Sequence, residues 1–176
     1  MRTIPVKTTY LSMSAPPTGK ARPAPREDLL LLQAWQPTAA FYRFLYGEVG
    51  RDLHWVDRHQ LDDASLLQAL HDPAVTLVVL YVAGVPAGYF ELCAEADASI
   101  RLAYFGLMPP FRGLGLGSWL LEQAIRTAWA CQPQRLWLHT CELDAPAALP
   151  TYLKAGFAIS HTEIVQQALP DDTSSD

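Results

Sequence analysis

Between a β-rich run and the most regularly helical stretch of the chain lies the segment Leu107-Met-Pro-Pro-Phe-Arg-Gly-Leu-Gly-Leu-Gly117. Two prolines turn the chain, and Gly113, Gly115 and Gly117 let the backbone pass close to a ligand. From Gly115 onward Leu120, Leu121, Ala124, Ile125 and Ala128 follow a helical period, which predicts a helix over 115–130. A strand that enters a glycine turn opening a helix presents free N–H groups and about half a positive charge, an arrangement suited to a phosphate or pyrophosphate. Arg112 adds a cation with paired donors. Ser118-Trp119 follows Gly117 where a Walker loop needs Lys, and the third glycine of a dinucleotide fingerprint falls on Ser118 or Leu120, so neither of those loops fits.

The remaining composition narrows the class of chain. At 176 residues it is one domain in length, and with 50% hydrophobic and 18% charged residues it is not a disordered polymer. Thirteen basic against eighteen acidic side chains leave a net charge of −5, which argues against sequence-independent nucleic-acid binding and for small molecules or cationic partners. Cys93, Cys131 and Cys141 form no CxxC pair and no even set, which reads as reduced thiols and a cytoplasmic location. His54, His59 and His71 make no zinc spacing with any Cys, so no metal is expected. No apolar run reaches membrane-span length, and no membrane association is expected. A homodimer is compatible with the sequence.

Five prolines before Arg26, among Ser, Thr, Gly and Lys, make residues 1–25 read as a flexible Pro-rich tail, and 170–176 read as a second tail. The folded domain then covers 26–169. Strands are expected over 26–36, 75–81, 86–92, 99–107, 135–141 and 157–166, with a hairpin turn at Ala83-Gly84-Val85-Pro86. Helices are expected over 38–46, broken by Gly47 and Gly50, and over 61–71, 115–130 and 146–154, the last ending at Ala155-Gly156. This order predicts a single α/β (α+β) domain: a mixed, mostly antiparallel sheet flanked by helices, with one strand–helix–strand crossover.

Arg112-x-x-Gly115-x-Gly117 and the later Ala148-Leu-Pro-Thr-Tyr152-Leu-Lys-Ala-Gly156-Phe157 stand in an order and separation that resemble the GNAT superfamily of N-acetyltransferases, whose fold also matches the element order over 26–169. The resemblance implies acetyl-CoA as cosubstrate. It implies that main-chain groups of Phe105 and Leu107 pair with the pantetheine arm, and that Arg112, Gly113, Leu114, Gly115, Leu116, Gly117 and Ser118 hold the phosphates. It implies Tyr152 as the acid that protonates the departing thiolate, a proton transfer reasonable for a phenol of pKa about 10 and a thiol of about 8.5. The family's frequent Asn seven residues before this Tyr is Ala145 here; Asp144 beside it is either a substitute or a cap for the following helix.

The implied reaction is direct attack of a small-molecule or peptide amine on the thioester in a ternary complex. It needs an oxyanion donor, which the family takes from a bulge that would fall near Leu107, and a base, for which Glu91, His139 and Glu142 are candidates. Cys141 is either a nucleophile in a ping-pong scheme or a small buried thiol. Tyr42, Tyr46, Trp55, Glu48, Asp52 and Asp57 lie where the family chooses its acceptor. They form either an aromatic and acidic face for a cationic amine or a core with an acidic rim. The alternative to an enzyme is a non-catalytic acyl-CoA-binding or regulatory module of the same fold.

Overall fold

The computed structural model describes residues 2–169. The elements are β1 (Arg2–Met13), β2 (Leu29–Gln33), α1 (Ala39–Gly50), α2 (Asp63–Leu70), β3 (Val75–Val82), β4 (Val85–Ala94), β5 (Ser99–Leu107), α3 (Leu116–Ala130), β6 (Arg135–Cys141), α4 (Ala148–Lys154) and β7 (Ala158–Leu169). Short 3-10 turns at Asp57–Gln60 and Pro109–Phe111 join them. The strands form a seven-stranded sheet in the order β2-β3-β4-β5-β6-β1-β7. Every neighbouring pair is antiparallel except β5 with β6, which is the expected mixed, mostly antiparallel α/β sheet.

Local chemistry accounts for most boundaries. Thr38 accepts from the Phe41 N–H at the start of α1, and Asp62 accepts from the Ser65 N–H at the start of α2. Helix α1 runs through Gly47 to Gly50 rather than stopping at Tyr46. Interior glycine costs a helix only about 1 kcal/mol, and at Gly50 a Cβ would lie 2.6 Å from Trp55 Cβ, so glycine is what lets the indole pack on the helix end.

The N-terminal expectation is overturned. Residues 2–13 are an interior strand, paired with β6 from Thr8↔Cys141 to Met13↔Leu136 and with β7 from Arg2↔Leu169 to Ser12↔Ala158. The prolines had suggested a tail, but only Pro5 lies in this strand. It sits ahead of the β6 pairing, where the strand has a neighbour on one side only and a missing N–H is tolerated. Val6, Thr8, Thr9, Leu11 and Met13 are buried. The remaining prolines fall in an extended segment that crosses α3 rather than hanging free. There Arg22 pairs with Glu122 and donates to the Ser118 carbonyl at 2.8 Å, and Arg126 donates to the Gly19 carbonyl. The expected tail over 170–176 lies outside the described residues.

One core packs between the sheet and α3 and includes Leu11, Phe90, Leu102, Leu120, Leu121 and Ile125. The other packs α1 and α2 on the opposite face and includes Tyr42, Leu45, Tyr46, Leu66 and Tyr89. The β4–β5 register slips between Leu102 and Tyr104, so Ala103 bulges. Leu102 and Phe105 therefore join the α3 core while Tyr104 joins the other. The bulge is thus at Ala103, not near Leu107, which stays in register opposite Gly88.

β5 and β6 pair only at Ser99–Arg101 against Arg135–Trp137, although both strands continue, to Leu107 and Cys141. Beyond Arg101 the sheet splits. If β1 is an interior strand, Leu11→Ala should destabilise the fold by about 2–5 kcal/mol, read from urea unfolding; a change near zero would restore the tail.

Candidate functional site

The split opens a cavity of about 630 Å³. Residues 102–107 of β5 form one wall; Leu138, His139 and Cys141 of β6 with Ala148, Thr151 and Tyr152 of α4 form the other. With β6 gone, one edge of β5 presents main-chain N–H and C=O groups that the sheet does not pair. Phe105 and Leu107 both line the cavity on this side.

The glycine loop lies at one end. Gly113 and Gly115 have φ of +75° and +76°, which L side chains rarely adopt, and Gly115 is the N-cap of α3 without a side-chain cap. The first N–H groups of α3 are therefore left for a ligand. Gly117 differs: its φ is ordinary and a Cβ there would meet only Leu107 Cδ1, at 3.7 Å. Packing does not require glycine at 117, yet Gly117 and Ser118 are the α3 residues that line the cavity, so the space a Cβ would fill is ligand space. Gly113, Leu114, Gly115 and Leu116 do not line it. Leu114 is exposed and Leu116 is core, so these four shape the loop rather than touch the cavity.

Arg112 lines the cavity, and three of its five donors are committed to the protein. Nε donates to Leu107 O at 3.0 Å, Nη2 to Val49 O at 3.0 Å and Nη1 to Asp52 at 2.9 Å. It ties the end of β5 to the C-terminal end of α1, where a cation suits the helix dipole. These bonds position the loop.

Tyr152 sits on the α4 wall, edge-on to Phe105 across the split and to Phe157 behind it, each at 6.2 Å between ring centres. Its hydroxyl takes no hydrogen bond from any described residue. Burial, and then the nearby Asp144 carboxylate, push its pKa above the ordinary phenol value, so it stays protonated at neutral pH. His139 on β6 lines the same cavity, and burial followed by the Arg101 charge hold its pKa below the ordinary value. Cys141 also lines the cavity, but burial raises its thiol pKa, which disfavours the nucleophilic thiolate. Asp144 accepts from Thr140 Oγ1 at 2.6 Å and Cys141 N at 2.9 Å. It therefore closes the turn behind it and does not cap α4.

Two expected bases are excluded by position. Glu91 is fully buried; one oxygen accepts from Tyr42 Oη and the other from Arg58 Nη2, both at 2.6 Å, and it lines no cavity. It is an internal counter-ion. Glu142 is exposed, accepts from the Lys7 N–H and lies outside the cavity.

The acceptor-side residues divide. Tyr42 is buried away from the cavity, Tyr46 is buried but contributes to its lining, Glu48 pairs with Arg51 and Asp52 with Arg112. Trp55 and Asp57 line the cavity, and Asp57 makes no hydrogen bond or ion pair to any described residue. Several contributors escaped the sequence, Arg101 among them. Thr8 and Tyr10 were hidden in the supposed tail. Arg58 had a signal: a carboxylate inside the apolar run Tyr89-Phe90-Glu91-Leu92 requires a buried cation somewhere. Among the described residues no group of three His, Cys, Asp or Glu is placed to hold a metal.

The sheet splits beside a parallel strand pair, and α3 starts at the split with no side-chain cap. The chain belongs to the Acetyltransferase (GNAT) family, whose model matches residues 32–157. Strands β1 and β7 lie outside that match. No curated protein matches. The fold is similar to that of a GCN5-related N-acetyltransferase from Sphaerobacter thermophilus (14% identity, TM-score 0.66, 93% of this chain and 52% of that one). It is similar also to one from Kribbella flavida (19%, 0.62, 92% and 58%). A tandem GNAT protein of the clavulanic acid biosynthesis pathway matches likewise (15%, 0.65, 96% and 55%). This chain therefore spans little more than half the length of these relatives. No helix among the described residues is long and apolar enough to cross a membrane.

The Glu91 reading can be checked by stability alone. Glu91→Ala leaves Arg58 buried without its carboxylate and should cost about 3–5 kcal/mol in chemical denaturation; a solvated carboxylate would cost almost nothing.

Proposed function

We propose that the protein is an acetyl-CoA-dependent N-acetyltransferase that moves the acetyl group to a primary amine by direct attack in a ternary complex, with Tyr152 as general acid. The observation that carries this reading is the unpaired edge of β5, which runs into the capless start of α3 on one side of the split while Tyr152 faces it from the other.

The residues fit the donor by their chemistry. Main-chain N–H groups at Gly117 and Ser118 would hold the diphosphate, aided by the α3 dipole. The free edge of β5 would pair with the amide arm as a strand pairs with a strand. The bound thioester supplies an acetyl carbonyl activated for acyl transfer. Main-chain N–H groups of β5 past Arg101 would then donate to the carbonyl oxygen as charge develops on it. His139, largely neutral at pH 7 because its pKa is held down, would accept the amine proton directly or through water. The amine nitrogen bonds to the carbonyl carbon, the carbon–sulfur bond breaks, and the Tyr152 O–H gives its proton to the departing sulfur. The three free thiols suit a reducing compartment, and we place the protein in the cytoplasm.

Tyr152→Phe should lower kcat about 10²-fold or more while leaving calorimetric CoA affinity unchanged. A wild-type rate removes Tyr152 as the acid, and tight CoA binding without turnover on any amine identifies a non-catalytic CoA-binding module instead. The base has a separate signature. Because the pKa of His139 is lowered, kcat/KM should hold through neutral pH and fall only below the ordinary histidine value of about 6.5. His139→Gln should remove that acidic limb from the pH–rate profile, and an unchanged limb assigns the proton to another group.

A further inference from the structure

Next to the main cavity is a second, of about 370 Å³, lined by Asp57, Arg58, Leu61, Arg101, Ala103, Tyr104 and His139. Asp57, Ala103, Tyr104 and His139 line both, so the two communicate beside the imidazole. The side cavity begins at Arg101, the last β5 residue still paired with β6.

Its charge is unusual for a domain of net charge −5: two guanidiniums line it against one carboxylate. The other cavity-lining arginine, Arg112, spends three of its five donors on two carbonyls and Asp52. The Arg101 side chain makes no hydrogen bond to any described residue. Its one ionic contact runs from Nε to Glu95 Oε1 at 3.4 Å, too long for a good hydrogen bond, and leaves both Nη groups without a partner among the described residues. The other oxygen of Glu95, Oε2, accepts from Ser99 Oγ and from Trp137 Nε1, which fixes that carboxylate in place. Arg101 is itself braced against the Trp137 ring, with Cζ 5.8 Å from the ring centre. Arg58 gives Nη2 to Glu91, lies 5.4 Å over the Tyr104 ring, and also leaves a buried Nε without an acceptor. Arg58 is thus fixed by Glu91 and Tyr104, and Arg101, partly exposed and braced on Trp137, keeps its Nη donors free of protein partners among the described residues, where an anion can take them.

We propose that the side cavity is an anion subsite of the acceptor, with Arg101, backed by Arg58, receiving a carboxylate while Asp57 at the junction takes the ammonium. The acceptor is then an amine that carries a carboxylate, of the amino-acid type. This rests on the acetyl-transfer reading of the main cavity. It narrows the general preference for cations that the acidic composition suggests, because Asp57, unpaired among the described residues, shares this cavity with two arginines. A carboxylate seated at Arg101 would also offset the charge that disfavours protonation of His139, making the same imidazole a better base.

The test compares amino acids with their decarboxylated twins, L-phenylalanine with phenethylamine and L-lysine with cadaverine, as acceptors for the full-length chain with acetyl-CoA. The carboxylated member should have the higher kcat/KM by about tenfold or more. Arg101→Gln should erase that ratio, chiefly through KM, and Arg101→Lys should keep part of it. Twins used equally well, a preference for the decarboxylated member, or a ratio that Arg101→Gln leaves unchanged would overturn the proposal. So would Arg101→Gln altering instead the choice between succinyl-CoA and acetyl-CoA, which would assign the subsite to the donor. Calorimetry separates the two readings. Absence of CoA binding removes acetyl transfer, and titration of the same twins into the chain still decides the subsite. Carboxylate-dependent binding lost in Arg101→Gln supports it, and no such binding overturns it.

Discussion

Where β5 and β6 stop pairing decides the chemistry of this molecule. Strands in a sheet satisfy their main chains in each other, so a sheet that continued past Arg101 would leave nothing for a ligand to bind. The parallel register ends there, while helices on both faces hold the two halves of the sheet apart. β5 consequently keeps a row of unspent donors and acceptors in the middle of the protein, in a setting where water is partly excluded. The glycine loop follows because β5 must turn into α3 at that point, and α4 follows because β6 must return. The donor wall, the loop and Tyr152 are thus consequences of one interrupted ladder.

The buried pair of Glu91 and Arg58 has a complementary role on the other face. Buried ion pairs seldom add much net stability over well-packed apolar groups, but breaking one is costly, so they fix geometry. Arg58 lies in the 3-10 turn that also carries Asp57, and Glu91 anchors that turn to the sheet beneath Tyr104. The turn lines the acceptor end of both cavities. A loop held by a charge in the core presents Asp57 from a defined position, which a loop held only by apolar contacts would do less well. The same principle applies to Arg112, whose bonds to Leu107, Val49 and Asp52 fix the other end of the cleft.

The legible parts of the sequence were those with a local cause. The α3 period, the glycines at positive φ, the hairpin between β3 and β4 and the strand of alternating Leu136, Trp137, Leu138 and His139 all announce themselves within a few residues. So did the order of strands and helices, which the family match bears out as a fold. What escaped depended on distant partners. β1 is polar enough, with Thr3, Lys7, Thr8, Thr9 and Ser12, to pass for a tail, and becomes a strand because β6 and β7, far along the chain, flank it. Glu91 looked available because its cation lies in a turn with no pattern of its own. Arg112 looked like a free cation because the carbonyls it serves belong to another helix and to the end of its own strand.

The position of β1 also sets the local charge at the start of α3. Glu122, which faces the glycine end of α3, is held well below the ordinary carboxylate range, at about 2, first by Arg22 and also by Arg126. Arg22 belongs to the segment that leads away from β1, and it donates to the Ser118 carbonyl as well. That segment neutralises a carboxylate close to the first turn of α3 and fixes the turn whose N–H groups face the cleft. The charge of −5 is therefore an average that does not describe this end of the molecule. A local field can depart from that average, and here the α3 dipole stands with the charge of Glu122 offset by two arginines. The N-terminal residues, which look least structured in the sequence, supply both the strand that closes the sheet and the cation that makes this local field possible.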